Sequence, residues 1–250
     1  MKTDWDYTSL AGAYLKRPGY APTAINRLLE ISDCCQTDEV CDIGAGAAHL
    51  TLLLAKYGLV ISAIEPNDAM RKNGIARTKE FENVTWFNGT GENTNQKVGH
   101  FKLVTFGSSF NVCDRGSALK ETARILKVKG WFACCWNHRQ LNDPIQRELE
   151  LIISKHLPDY AYGTRRESQE EIIKASGLFS SIQYIEGKIT QRQSISDCIE
   201  AWRSHGTLVR QAGEKFNIII NEIEEFLVEL GKPMIEVPYQ TKMWAAQLKT

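Results

Sequence analysis

The segment Val40-Cys41-Asp42-Ile43-Gly44-Ala45-Gly46-Ala47-Ala48-His49 constrains this chain more than any other. Glu39 to Ile43 reads as a short buried strand, and His49 to Tyr57 as a helix that Gly58 stops. Two glycines between them let the backbone turn tightly and approach a ligand beside a helix N-terminus. The same strand-to-helix rhythm repeats downstream. Leu59–Ile64, Val84–Phe87, Phe101–Phe106 and Trp131–Trp136 are strand-like, while residues 70–81 and 117–126 are helix-like. Pro22 opens an earlier helix carrying Ala24, Ile25, Leu28, Leu29 and Ile31. Such alternation implies an α/β protein, a doubly wound and mostly parallel sheet with helices on both faces.

After Trp136 the rhythm changes. Residues 144–156, 169–176, 196–212 and 215–230 are helix-like, with Phe216, Ile219, Ile223, Phe226 and Leu230 forming an apolar stripe. Ser181–Ile185, Ile235–Tyr239 and Met243–Ala246 read as strands, the last pairing back antiparallel. The expected organisation is one domain: a helical cap over residues 1–36, a cofactor-binding core over 37–137, and substrate-covering helices with the last strands over 138–250.

Composition narrows the function. Thirty Lys and Arg balance 30 Asp and Glu, so the formal charge is zero, where a binder of nucleic acid or anionic membrane would carry a basic surplus. The seven cysteines include two adjacent pairs and form neither a disulfide framework nor a zinc motif. The acidic start, Met1 to Asp6, does not read as a secretory signal, and no apolar run is long enough to span a membrane. These features fit a cytoplasmic protein with reduced thiols and no metal.

The glycine turn also distinguishes cofactors. A dinucleotide fingerprint requires a third glycine at position 49, which is His49. Asp42 instead ends the first strand, where a carboxylate can accept from an ammonium group, and Glu65 ends the second, where it can accept from ribose hydroxyls. One acid before the turn and one after the next strand describe a site for S-adenosylmethionine.

On these residues the chain resembles the class I S-adenosylmethionine-dependent methyltransferases, in the branch of the ubiquinone/menaquinone-biosynthesis and trans-aconitate methyltransferases. Further segments share the pattern: Tyr14–Tyr20, Ile64–Met70, Gly89–Glu92, Gly107–Asn111 and Val237–Thr241. The resemblance implies a Rossmann-like seven-stranded sheet with an antiparallel last strand and a helical lid near the C-terminus. It implies that Asp42, Gly44, Ala45 and Gly46 line the methionine portion of the cofactor and that Glu65 holds the ribose. Asn67 and Met70 would flank adenosine, Thr90, Gly91 and Glu92 would contact adenine, and Phe106 and Gly107 would lie beside the sulfonium. Tyr14 and Arg17 would close the entrance, with Arg17 near the methionine carboxylate. Ala48 replaces the usual third glycine of the turn, which requires helical backbone angles there.

The acceptor side is less determined. His138, following the fifth strand, is a candidate general base, and Asn111, where many relatives have histidine, is a second catalytic candidate. Ser109, Phe110, Trp136, Trp202 and His205 are candidate substrate contacts. Aromatic faces such as Phe106 or Trp136 can favour a sulfonium cation. No Asn/Asp-Pro-Pro-Tyr/Phe turn follows the fourth strand, and no acidic metal ligands stand there. The expectation is metal-independent O-, N- or C-methylation of a small molecule by in-line displacement, by a monomer or homodimer. A non-catalytic cofactor-binding or partner subunit on the same fold is the alternative.

Overall fold

The computed structural model describes residues 6–250; most of the acidic start read above lies outside them. In chain order the elements are α1 (Ala11–Tyr14), α2 (Pro22–Ile31), β1 (Glu39–Ile43), α3 (His49–Lys56), β2 (Val60–Ile64), α4 (Asp68–Thr78), β3 (Val84–Phe87) and β4 (Phe101–Gly107). There follow α5 (Arg115–Ile125), β5 (Leu126–Arg139), α6 (Pro144–His156), α7 (Glu170–Ala175), β6 (Phe179–Ser194), α8 (Ile195–Arg203), α9 (Gly206–Ala212), α10 (Phe216–Glu229) and β7 (Met234–Leu248). The strands form one seven-stranded sheet in the order β3-β2-β1-β4-β5-β7-β6. β7 alone runs antiparallel, pairing with β5 on one side and β6 on the other. The doubly wound sheet with an antiparallel last strand is as expected from the sequence.

Side-chain alternation along the strands divides the core into two layers. Trp131, Ala133 and Cys135 of β5 pack with Ile25, Leu28, Leu50 and Leu54 of α2 and α3. Phe132, Cys134 and Trp136 pack with Leu119 and Ile125 of α5 and Ile173 of α7 on the opposite face. Adjacent cysteines 134 and 135 thus bury into different layers, and all seven cysteines are free thiols.

Several elements differ from the sequence reading. β5 continues past Trp136 to Arg139, so His138 lies within the strand, and the expected boundary after residue 137 cuts through it. Nine register pairs with β7, Trp131↔Gln247 to Arg139↔Tyr239, extend the strand. The two expected C-terminal strands are one. β6 covers 16 residues, with an irregularity between Ser180 and Gln183. The helix read over 196–212 is broken into α8 and α9 at Ser204-His205. A third apolar cluster joins α6, α8 and α10 to Ile235, Val237 and Tyr239 of β7, which is where the 215–230 stripe is spent.

β1 lies between β2 and β4, so the chain winds outward in both directions from the β1/β4 pair. Crevices in open α/β sheets form at the carboxyl ends of such strands. Here the two ends approach closely. Ser109, just after β4, donates from Oγ to the Ile43 carbonyl at 2.6 Å. Gly44 has φ +65°, and a Cβ there would stand 2.4 Å from Ser109 Cβ. Gly46 has φ +54°, and its Cβ would meet the mobile end of Met70 at 3.1 Å. Ala48 (φ 67°, ψ 27°) is left-handed. That is not the helical conformation on which the sequence reading made alanine acceptable: the turn keeps three left-handed positions, and alanine bears strain at the third.

Gly44→Ala should therefore destabilise by roughly 3 kcal/mol, combining left-handed strain with overlap against the Ser109 Cβ, which its hydrogen bond to Ile43 holds in place. Gly46→Ala should cost about 1–2 kcal/mol, because a methionine methyl can swing away. Urea unfolding of both variants checks this ordering; equal losses would contradict it.

Candidate active site

Two adjoining chambers open at the carboxyl end of the sheet, sharing Tyr7, Tyr14, Gly44, Gly46 and Ser108 in their walls. The smaller encloses about 750 Å³ between β2, α4 and the 90–92 loop. Glu65, Asn67, Met70, Thr90, Gly91 and Glu92 line it. The larger encloses about 1140 Å³ and runs from Asp42, Ala45 and Gly107 outward beneath α8 and α9.

The turn presets the smaller chamber. Glu65 is buried, and its two oxygens accept from the backbone N–H groups of Gly46 (2.8 Å) and Asn67 (2.9 Å). Each oxygen retains capacity for another donor. Burial pushes this carboxyl up to about 7 against the lowering effect of the two N–H groups. Asn67 caps α4 through Met70 N (3.0 Å) and donates to Thr8 Oγ1 (2.9 Å), tying the N-terminal segment across the chamber. Glu92 accepts from Asp114 N at 2.7 Å, fixing the 90–92 loop against α5.

Asp42 forms the floor of the larger chamber. It is fully buried, and its oxygens accept from Thr51 Oγ1 (2.7 Å) and Thr105 Oγ1 (3.0 Å). Burial raises its carboxyl to about 6, with the threonine contacts opposing. The acid is therefore fastened to β4 and α3 rather than standing free for an ammonium group.

Aromatic rings from the N-terminal segment close the junction. Tyr7 and Tyr14 meet edge to face at 5.8 Å, and the Arg17 guanidinium stacks over Tyr14 at 4.2 Å. Arg17 also donates to Ser204 Oγ (3.1 Å) and the Ser204 carbonyl (2.6 Å), joining this segment to the α8–α9 break. His49 lines the larger chamber, and burial holds its ring well below the usual range, to about 3, so it is neutral. Tyr20 shares a 2.8 Å hydrogen bond with Ser108, which sits at φ 59°.

The acceptor candidates separate into two groups. Asn111, Trp136, His138 and His205 line the larger chamber. Trp136 Nε1 donates to Asn111 Oδ1 at 2.8 Å, so that amide is oriented by the indole. His138 Nε2 donates to the Arg165 carbonyl at 3.1 Å. Burial, then the Arg166 and Lys242 charges, depress its pKa to about 4, not the near-neutral value expected of a general base. Ser109 lines the smaller chamber, with its hydroxyl spent on Ile43. Phe106, Phe110 and Trp202 line neither. Phe106 and Phe110 are fully buried with Phe132 in one aromatic cluster, Phe106 turned inward by the pleat of β4 and Phe110 from the short 3-10 turn that follows it. Trp202 is buried on α8 beneath Arg139.

Sequence reasoning missed Tyr7, Tyr20, Ser108, Asn137, Arg139, Tyr162, Arg165, Arg166 and Tyr239. Asn137 and Arg139 flank His138 and were legible as part of a strand end. Asn137 donates to the Gly19 carbonyl (2.7 Å) and accepts from Thr241 (2.5 Å), pinning the segment before α2. Arg165 and Arg166 lie in an irregular turn with no local signal. α10, expected as lid, packs against α6 and α8 and contributes nothing to the chamber walls.

Residues 41–134 match the family described as a methyltransferase domain. The uncharacterized methyltransferase Rv3342 of Mycobacterium tuberculosis is 31% identical over 150 residues, covering 60% of this chain and 59% of that protein, so less than two thirds of its length is matched. The solved structure of a putative type II methyltransferase from Anaeromyxobacter dehalogenans superposes with a TM-score of 0.69 at 16% identity, covering 92% of this chain and 97% of that one. Phosphoethanolamine N-methyltransferase 2 of Haemonchus contortus, solved with S-adenosyl-L-methionine, gives 0.57 at 15% identity, covering 100% and 59%. These two likenesses are of fold.

The raised carboxyl of Asp42 fixes a sign for stability against pH. Its folded pKa, about 6, exceeds the ordinary aspartate value, so its contribution is fully present below about pH 4 and is lost as pH rises through about 6. Asp42→Asn, which removes the ionisation, should gain on the wild type by about 2–3 kcal/mol between pH 4 and pH 8. Denaturant unfolding of the ligand-free protein across that range measures it; a pH-independent difference would refute the burial argument.

Proposed function

We propose that this chain is a class I S-adenosylmethionine-dependent methyltransferase that binds S-adenosylmethionine across the two chambers and methylates a small molecule in the larger. The observation that carries the reading is the continuity of the chambers at the Gly44–Gly46 turn, with a buried acid on each side. Glu65, which retains acceptor capacity beyond its two N–H partners, would hold the ribose hydroxyls. Asn67, Met70 and Thr90 to Glu92 would enclose the base. Gly44, Ala45, Gly46 and Gly107, with Tyr14 and Arg17, would surround the methionine portion, above Asp42.

When bound, S-adenosylmethionine supplies a methyl carbon made electrophilic by its sulfonium sulfur. The chain's own task is then alignment and exclusion of water. Tyr7 and Tyr14 cover the junction, their rings offering faces to a cation, a role Phe106 cannot fill from the core. His138 is neutral at physiological pH, with Nδ1 left to accept a hydrogen bond, which suits positioning of an acceptor. Asn111, held by Trp136, presents an oriented amide for the same purpose.

Arginines rather than carboxylates line the acceptor side, a poor setting for a divalent cation, which supports metal-independent transfer. The enclosed chamber and the balanced overall charge favour a small acceptor over nucleic acid or a membrane surface. No described helix is long and apolar enough to cross a membrane. The reading is of a cytoplasmic enzyme, monomeric or homodimeric.

Titration calorimetry with S-adenosylmethionine should show one site, and Glu65→Ala should weaken it at least about tenfold, the loss of a charge-assisted hydrogen bond. No heat of binding, or a variant affinity within about threefold of wild type, would defeat the reading.

A further inference from the structure

Tyr20 is fixed from both sides. Asn137 Nδ2 donates to the Gly19 carbonyl at 2.7 Å, and Ala21 N donates to Thr241 Oγ1 at 2.8 Å. Thr241 Oγ1 in turn donates to Asn137 Oδ1 (2.5 Å), so one side-chain pair bridging β5 and β7 holds both neighbours of Tyr20. The buried phenol then reaches the end of β4. Its oxygen lies 2.8 Å from Ser108 Oγ and 3.0 Å from where a Cβ on Gly107 would stand, a place that a side chain at 107 would crowd.

Ser108 sits in the left-handed region (φ 59°), with its N–H on the Cys135 carbonyl at 2.8 Å, a conformation that strains a serine. Ser109, next in the chain, spends its hydroxyl on Ile43. The Tyr20–Ser108 pair spends one hydrogen atom on itself. Neither oxygen has another hydrogen-bond partner among the described residues, and both keep lone pairs.

The pair stands where the two chambers pass into one another, since Ser108 lines both and Tyr20 the larger. A methyl group carried from a cofactor to an acceptor in the larger chamber crosses this passage. C–H groups polarised by a sulfonium are donors to oxygen. The oxygens that meet them have to be neutral, because an ionised oxygen beside an electrophilic methyl would itself accept it. Burial pushes the Tyr20 phenol well above its usual range, which keeps it a neutral hydroxyl.

We infer that Tyr20 and Ser108 determine specificity for the group that the sulfonium carries: their oxygens accept from the methyl and tell the methylated cofactor from its demethylated product. The inference rests on the methyltransferase reading and gives the passage between the chambers a recognition element of its own.

The test is calorimetric titration of the full chain and its Tyr20→Phe variant with three ligands that differ at this point. S-adenosylhomocysteine has no group there, S-adenosylmethionine has a methyl, and sinefungin has a protonated amine. Tyr20→Phe should leave the affinity for S-adenosylhomocysteine within about twofold, which also reports that the variant is folded. It should weaken S-adenosylmethionine about threefold, the size of one C–H···O contact, and sinefungin at least about tenfold, the loss of a charge-assisted hydrogen bond. Ser108→Gly, which removes the hydroxyl and suits the left-handed backbone, should weaken the ligands in the same order. A purely structural role for the pair would lower all three affinities by one factor. That result, or no change in any of them, overturns the inference and leaves the methyltransferase reading standing. Wild-type protein that binds none of the three defeats that reading and the inference with it.

Discussion

The contact on which the site depends is the close approach of the carboxyl ends of β1 and β4. Ser109 donates to the last carbonyl of β1, and the space opposite is so small that residue 44 can carry no side chain. That pinch sets the path of the turn. Its next two N–H groups reach the end of β2, Ala45 N donating to the Ile64 carbonyl at 3.0 Å and Gly46 N to Glu65, and α3 starts where Thr51 can reach Asp42. The two acids are therefore coupled to the same few residues of backbone. Their raised carboxyls record what burial costs before any ligand arrives. A site with this much unfavourable charge built into it is arranged for a partner rather than for stability.

The Gly44–Gly46 turn and the chamber beside Glu65 are legible in the sequence because their determinants are local. Strand, tight turn and helix follow one another within ten residues, and Glu65 ends the next strand by the same period-2 and period-3.6 logic. Even there the reading had limits. Asp42 was taken as a free acceptor, and only the fold brings Thr105 from β4 alongside it. The resemblance implies that Phe106 lies beside the sulfonium, yet the pleat turns it into the core while Gly107 reaches the cavity. Ala48 holds a left-handed conformation that glycine adopts freely and alanine only at a cost in strain.

The acceptor half resisted for the opposite reason. Arg165 and Arg166 lie in a short 3-10 turn between α6 and α7, with no periodicity to announce them. They reach the chamber because His138, far away in sequence, holds the Arg165 carbonyl, and His138 is in place only because β7 extends β5 to Arg139. A histidine at a strand end invites a catalytic reading. Its neighbours in space are arginines, and they together with burial remove the basicity that reading needs.

The N-terminal segment joins the two halves mechanically. Tyr7 and Tyr14 stand in the walls of both chambers, Asn67 holds Thr8 beside the smaller, and Arg17 holds Ser204 beside the larger. Asn137 and Thr241 then anchor the next residues to β5 and β7. The segment is thus fixed at its far end to the sheet and bridged at its near end across the opening. A displacement of residues 7–17 would move wall residues of both chambers at once, since Tyr7 and Tyr14 belong to both. The walls of the two chambers are consequently one structural problem: Tyr7 and Tyr14 stand in both, and Arg17, stacked on Tyr14, ties them to the α8–α9 break.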